Sequence, residues 1–387
     1  MINKISVIGA GTMGSGIAQV AATCGWQVSI IDSFPKALGN SKSKLKSILN
    51  RLVEKGKLNE EQSKSILTRI HWTTNMDEIF NSHMVIEAIV ENLEIKQNLF
   101  LQMESIVSED CILATNTSSL SVLKIASACK LKSRIMGIHF FNPVPLMKLV
   151  EVIPTEKTDC KLLLEVKTIL KGWGKSVVTA KDTPGFIVNR VARPFYNEAL
   201  KIYEEGIADF ATIDWAMKEF GGFRMGPFEL MDYIGNDINY SATKAVYDGT
   251  NHDSRYKPSS IQKELVDEGF LGRKSGRGYF DYSNNASEPE PNKDDVIGKQ
   301  IFIRILAMLI NAAADALNNE IATRDDIDIA MTTGVNYPRG LLKWADEIGI
   351  KKVLKLLQVL QSNSNDNRYQ PSPLLIKMSQ DNTIFYS

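Results

Sequence analysis

An apolar run at residues 4–9, KISVIG, leads directly into Gly9-Ala10-Gly11-Thr12-Met13-Gly14, and a helical pattern follows near 13–24. No other stretch restricts the possible folds as strongly. Gly9 permits a tight turn, Gly11 lets a pyrophosphate approach the backbone, and Gly14 lets the helix pack close to the strand. Helix N-terminal N–H groups and the positive dipole end then attract phosphate. Alone, this spacing also suits a plain strand-to-helix turn. Here a second strand, QVSIID, ends in Asp32, eighteen residues after Gly14, where a carboxylate can hold both ribose hydroxyls. A dinucleotide site built from Gly9, Gly11, Thr12, Met13, Gly14 and Asp32 is predicted. A 2′-phosphate beside Asp32 would meet a repulsion of about 4 kcal/mol per unit charge at 4 Å, with no Arg following to offset it. The expected cofactor is therefore NAD rather than NADP.

Further β-rich runs at 83–89, 111–116 and 134–140 alternate with helical patterns, the grammar of a doubly wound parallel sheet. A helical pair at 36–55 and 60–68 carries Lys42, Lys44, Lys46, Lys55 and Lys57 and is larger than a minimal crossover. After LVEVIP (149–154), a helix (159–171) and SVVTAKD (176–182), Pro184-Gly185 breaks the pattern before a long helical run at 186–205.

From there the chain repeats itself at a spacing of 114: Arg190, Asn197, Asp214, Met217, Gly226 and Asp232 recur as Arg304, Asn311, Asp328, Met331, Gly340 and Asp346. After a one-residue deletion, Arg255-Tyr256 is echoed by Arg368-Tyr369. The expected fold is thus an α/β Rossmann-type doubly wound sheet domain followed by two tandem all-α helical domains. Expected boundaries are 1–183 for the NAD-binding domain, 184–282 for helical copy one, which closes over substrate and cofactor, 283–292 for a polar linker, and 293–387 for a degenerate copy two. Copy two lacks a counterpart of Leu271–Gly278, and Ile303 stands at the position of Asn189, so a structural role is expected for it. A tandem copy can cover an apolar face that would otherwise recruit a second subunit. A monomer built as an internal pseudo-dimer is expected, with higher oligomers left open.

With 45 Lys+Arg balancing 45 Asp+Glu in 387 residues, no global field recruits nucleic acid or an anionic membrane. The four cysteines, Cys24, Cys111, Cys129 and Cys160, are widely spaced and read as buried free thiols in a reducing compartment. No stretch reads as approaching the roughly 20 apolar residues of a membrane span, and a soluble, cytoplasmic protein is expected. No metal site is expected.

A second constellation centres on His139, at the end of the RIMGIHF strand. Phe140-Phe141-Asn142-Pro143-Val144-Pro145 turns the chain, and Glu151 lies in the returning LVEVI strand. The two are symmetric about Pro145, so a hairpin sets them opposite each other. A carboxylate on one imidazole nitrogen fixes the tautomer and leaves the other nitrogen to exchange a proton with substrate. A structural His–Glu pair is the alternative. Thr115–Ser119 follows the fourth predicted strand and faces the same crevice, with helix capping as its competing reading. Asn189, in the first turns of the long helix, equally suits a surface polar residue.

GAGTMG (9–14), VIEAIVEN (85–92), ATNTSS (114–119), GIHFFNPVPLMKLVEV (137–152), DTPGFIVNR (182–190) and GRKSGRGYF (272–280) together resemble the L-3-hydroxyacyl-CoA dehydrogenase family, including 3-hydroxybutyryl-CoA dehydrogenases. The resemblance runs to about residue 282 and returns in the duplicate. It implies NAD-dependent interconversion of (S)-3-hydroxyacyl-CoA and 3-oxoacyl-CoA, in fatty-acid or related acyl-CoA metabolism. It also implies that His139 and Glu151 are the catalytic pair, that Ser118 and Asn189 meet the reacting part of the substrate, and that Glu91, Lys96, Asn142 and Lys274 join Asp32 around NAD. Lys55 matches a position that holds coenzyme A, and Ile48 stands where some members carry a polar CoA contact. With the nucleotide strand starting at residue 4, a stand-alone dehydrogenase is expected rather than a multifunctional protein. Two alternatives are a dehydrogenase of free 3-hydroxy acids such as sugar acids, and a non-catalytic NAD-binding structural protein.

Overall fold

The computed structural model describes residues 3–284, 286–287, 289–364 and 366–386, so the expected linker at 283–292 is described only in part. The chain divides into two compact units, Met1–Asp182 and Thr183–Ser387.

The first unit holds an eight-stranded sheet: β1 (Lys4–Ile8), β2 (Gln27–Ile31), β3 (Ile70–Thr73), β4 (Met84–Glu87), β5 (Ile112–Thr115), β6 (Ile135–Phe140), β7 (Leu149–Pro154) and β8 (Ser176–Thr179). Their order is β3-β2-β1-β4-β5-β6-β7-β8, parallel except for the antiparallel pair β6–β7. The turn between β6 and β7 contains Pro143 and Pro145 and is too short for the crossover a parallel pair needs. On one face, Ile17, Leu45, Leu49, Val166 and Leu170 pack on the strands; on the other, Phe100, Met103 and Ile125 do so. Helices on both faces explain why β1, β4, β5 and β6 are near-continuous apolar runs. β3 was not foreseen. IHWT is only four residues long, too short for its alternation to stand out, and becomes a strand by pairing along β2 from Val28–Ile70 onward.

The second unit is helical, and its elements recur in the register of the repeat. Arg193–Glu204, Phe210–Gly221, Pro227–Ile234, Asn236–Gly249 and Ser260–Asp267 are followed by Asp295–Asn318, Arg324–Gly334, Leu341–Ile348, Ile350–Ser362 and Pro373–Asp381. The expected run at 186–205 is interrupted at Ala192, between helices Val188–Val191 and Arg193–Glu204, because Pro194 has no N–H to donate. Asp214 accepts from the N–H groups of Phe228 and Glu229, and its counterpart Asp328 accepts from those of Leu342 and Lys343. Asp232 accepts from Tyr279 and Phe280, as Asp346 does from Phe385 and Tyr386. The duplicate thus keeps the anchored aromatic tail while omitting the loop before it.

Two sequence expectations are corrected. Helix Asp295–Asn318 is long and apolar enough to cross a membrane, but most of its apolar stretch is buried inside the helical unit, against Arg193–Glu204 and Phe210–Gly221. Cys24 and Cys160 are exposed, and only Cys111 and Cys129 are buried thiols.

Candidate active site

The glycine loop is shaped as its spacing requires. Gly9 has φ +107°, and a Cβ there would lie 2.6 Å from the Ala88 carbonyl oxygen. A Cβ on Gly14 would sit 1.9 Å from the Gly9 carbonyl oxygen, so only glycine lets helix Thr12–Thr23 start so close to β1. At Gly11 a Cβ would meet nothing within 4 Å, which leaves the loop's outer side open to a ligand. That helix, opened by Thr12 and Met13, has no side-chain cap and no acidic residue in its first turn, so its N–H groups remain available to an anion.

Asp32 follows β2, and its carboxylate accepts from the N–H of Ala10 at 2.8 Å and of Phe34 at 2.9 Å, fixing its position beside the loop. A cavity of about 920 Å³ is lined by Gly9, Gly11 and Asp32 together with the apolar side chains of Phe34, Ile89, Ile95 and Leu99. Backbone donors, a carboxylate and apolar walls fit the pyrophosphate, ribose and base of NAD.

A buried ionic network stands at the end of β4. Glu87, fully buried, accepts from Lys96 Nζ at 2.5 Å, from the N–H of Ile89 at 2.7 Å and from the Thr115 hydroxyl at 2.7 Å. Lys96, 1% exposed, also faces Glu91 at 3.3 Å. Glu91 in turn accepts from the N–H groups of Ser118 (3.0 Å) and Ser119 (3.1 Å) and from the hydroxyls of Thr117 (2.5 Å) and Ser119 (3.0 Å). Burial by itself would raise the Glu91 carboxyl, but the Thr117 hydroxyl, the Lys96 ammonium and the serine donors outweigh it and hold it below the usual carboxylate range. The geometry makes Glu91 the residue that holds the exposed Ser118 loop in place.

None of Thr115–Ser119 caps the helix that follows. Ser121 is the N-cap of Val122–Ala126, and Asp182 accepts from the Ser121 hydroxyl and from the N–H groups of Val122 and Leu123. Sequence reasoning passed over Glu87 and Asp182, although both lie inside quoted motifs.

His139 and Glu151 are register partners in the β6–β7 hairpin, with Nδ1 2.7 Å from Oε2. Glu151 is fully buried and the His139 side chain 8% exposed. The Phe141 ring lies 4.5 Å from the imidazole, centroid to centroid. Asn116 Oδ1 accepts from the N–H of Phe140, tying the Ser118 loop to the strand that carries His139. Asn142 is exposed at the start of the turn. The buried Lys175, another residue missed, donates to the carbonyls of Val144 (2.5 Å) and Met147 (2.8 Å) and pins that turn. Burial lowers the Lys175 ammonium below its usual range. Lys55 is the exposed C-cap of helix Pro35–Glu54, and Ile48 lies half-exposed on the same helix.

Two of the residues expected at the site from the sequence lie in the helical unit. Asn189 is partly exposed on helix Val188–Val191. Lys274 donates to Asp237 beside Gly235, where a Cβ would lie 2.8 Å from Nζ.

Residues 4–183 match the family model "3-hydroxyacyl-CoA dehydrogenase, NAD binding domain", and residues 185–282 and 301–384 match that of the "3-hydroxyacyl-CoA dehydrogenase, C-terminal domain". The chain belongs to the 3-hydroxyacyl-CoA dehydrogenase family. It is an NAD-dependent oxidoreductase, and it matches the C-terminal domain twice. The 3-hydroxyadipyl-CoA dehydrogenase of Escherichia coli is 35% identical over 97% of both chains. A probable 3-hydroxybutyryl-CoA dehydrogenase of Bacillus subtilis is 42% identical over 74% of this chain and 99% of its own. Among solved structures, a 3-hydroxybutyryl-CoA dehydrogenase of Escherichia coli superposes with a TM-score of 0.92 at 33% identity, covering 98% of each chain.

Proposed function

We propose that this dehydrogenase oxidises (S)-3-hydroxyacyl-CoA to 3-oxoacyl-CoA with His139 as general base and Glu151 as its partner. The 2.7 Å contact between His139 Nδ1 and Glu151 Oε2 carries this reading. Nδ1–H donates to the carboxylate, so the ring is held in one tautomer and Nε2 takes the hydroxyl proton. Bound NAD supplies the acceptor for the hydride leaving C3. Glu151 stabilises the imidazolium that results, and in reduction that imidazolium returns the proton. Ser118 donates to the C3 oxygen as charge develops there, and Asn189 orients the thioester end.

Around the cofactor, Gly9, Gly11, Thr12, Met13 and Gly14 hold the pyrophosphate and Asp32 the ribose. Asn142 and Lys274 join them. Glu91 and Lys96 act by holding the Ser118 loop, and Lys55 supports the coenzyme A end. Residues 184–282 contribute Asn189 and Lys274, while 293–387, which carry Ile303 in place of Asn189, are structural. The setting proposed is cytoplasmic fatty-acid or related acyl-CoA metabolism, with a monomer stabilised by the internal pseudo-dimer.

A second observation bears on the acyl chain. The 3-hydroxyadipyl-CoA relative matches across the duplicated region as well, which supports including acyl chains that end in a carboxylate among the substrates. A panel of 3-oxoacyl-CoA substrates, with free acetoacetate as control, tests the assignment. Reduction of acetoacetate as fast as acetoacetyl-CoA would replace it with a free-acid dehydrogenase, and no NADH oxidation with any thioester would leave a binding protein.

A further inference from the structure

Arg193 opens the second helix of the helical unit and is 5% exposed. The other well-covered arginines of that unit, Arg190, Arg255, Arg304 and Arg368, each face a carboxylate. Arg193 does not. Among the described residues its NH1 reaches only neutral oxygens, Thr243 Oγ1 at 3.2 Å and the Asn239 carbonyl at 3.4 Å, and its Nε has no partner. The ionisable groups acting on it are the phenols of Tyr196, whose ring lies 4.8 Å from the guanidinium carbon, and Tyr337. Burial pushes both phenols above their usual range, so neither supplies a negative charge. Two further donors in this cluster, Asn239 Nδ2 and the Tyr337 hydroxyl, are also buried without partners among the described residues.

A buried charge with no counter-charge is among the most costly features a fold can carry. The duplicate shows that the fold itself does not require it. At the same spacing, Arg193, Tyr196, Asn239 and Thr243 are replaced by Ala307, Ile310, Val353 and Leu357, all buried. With the one-residue deletion counted, Gln262, which donates to Asn239 Oδ1 at 3.2 Å, is replaced by Leu375. Copy two therefore packs the same helices with an apolar cluster, and it is also the copy that carries Ile303 in place of Asn189.

We propose that Arg193, with the Asn239 side-chain amide and the Tyr337 hydroxyl, forms a binding site for a small monoanion of the carboxylate type. The guanidinium supplies the charge and the planar donor pair that a carboxylate matches. Gln262 orients the Asn239 amide, and Tyr337, from copy two, closes the cluster. The anion has two possible sources, a free small acid or the terminal carboxylate of an acyl chain. The site does not depend on the dehydrogenase reading; the second source does.

The test follows the melting midpoint of the full chain in sodium formate against sodium gluconate at equal ionic strength. A ligand that binds the folded state raises the midpoint with the logarithm of its concentration. The wild type should respond to formate and not to gluconate, and Arg193→Met should respond to neither. Asn239→Asp, which builds a carboxylate into the cluster, should start at a higher midpoint and lose the response. It serves alone if Arg193→Met does not fold. A wild type indifferent to formate, or equal slopes in wild type and Asn239→Asp, would overturn the site, leaving a buried water as its occupant. Kinetics then separate the sources. Formate competing with 3-oxoadipyl-CoA but not with acetoacetyl-CoA assigns the site to the acyl tail. Formate affecting neither substrate, with the thermal response present, assigns it to a free anion.

Discussion

Glu91 accepts the backbone N–H of Ser118 at 3.0 Å, so a carboxylate in the loop after β4 sets the position of a hydroxyl carried by the loop after β5. Glu91→Gln keeps the shape but removes the charge from this and three neighbouring hydrogen bonds. At about 1.5 kcal/mol for a charged hydrogen bond, kcat should fall roughly tenfold. The Glu91 pKa is depressed in the fold, so its stabilisation is complete above the ordinary carboxylate value of about 4.3 and is lost as pH falls through the lower folded value. Acid unfolding of the variant should therefore be shallower below about pH 4. Identical acid transitions and an unchanged kcat would remove Glu91 from this role.

His139→Gln should bind NADH normally and lose about 10²–10⁴-fold in turnover, the usual contribution of a positioned acid–base group. Fluorescence titration and steady-state rates separate the two effects. Loss of cofactor affinity with turnover intact would place His139 at the cofactor instead. Glu151→Gln should displace the pH–rate profile, since the imidazolium loses the buried carboxylate 2.7 Å away.

Asp32→Ser should narrow the preference for NAD over NADP by removing the repulsion that a 2′-phosphate would meet. Because Asp32 also accepts from Ala10 and Phe34, NAD affinity should weaken at the same time. The ratio of kcat/KM for the two cofactors reads this directly, and equal use of both by the unmodified protein contradicts it.

Arg304 of copy two donates to the fully buried Glu198 of copy one at 2.6 Å, and the equivalent Arg190 faces Asp315 of copy two at 3.9 Å. Arg304→Ala leaves Glu198 undercompensated and should destabilise the protein by about 3–5 kcal/mol in urea denaturation. Truncation at about residue 285 should produce a dimer or aggregate. Light scattering that finds a well-behaved truncated monomer would show that copy two covers nothing essential.

Legibility varied with the kind of signal. The His139–Glu151 register follows from chain symmetry about Pro145, because a strand's period of two leaves little choice. The helical repeat was equally visible, since identities at a fixed spacing survive where packing details do not. β3 was not, because four alternating residues at a sheet edge are too few to separate from chance. Glu87 and Lys175 were hidden for a different reason: charged side chains read as surface residues in a sequence, and only the fold reveals the ammonium or carbonyls that compensate their burial. Asp182 was hidden by distance, since it caps a helix sixty residues earlier in the chain. Arg193 carries no signal in the sequence, because the lack of an anion beside it among the described residues is a property of the packing alone.

The seam between the two helical copies joins parts of one covalent chain, so its occupancy does not change on dilution. In a symmetric dimer every substitution at such a seam is made twice and must suit both sides. Here the Arg304–Glu198 and Arg190–Asp315 sides are encoded separately, and each can drift without altering the other.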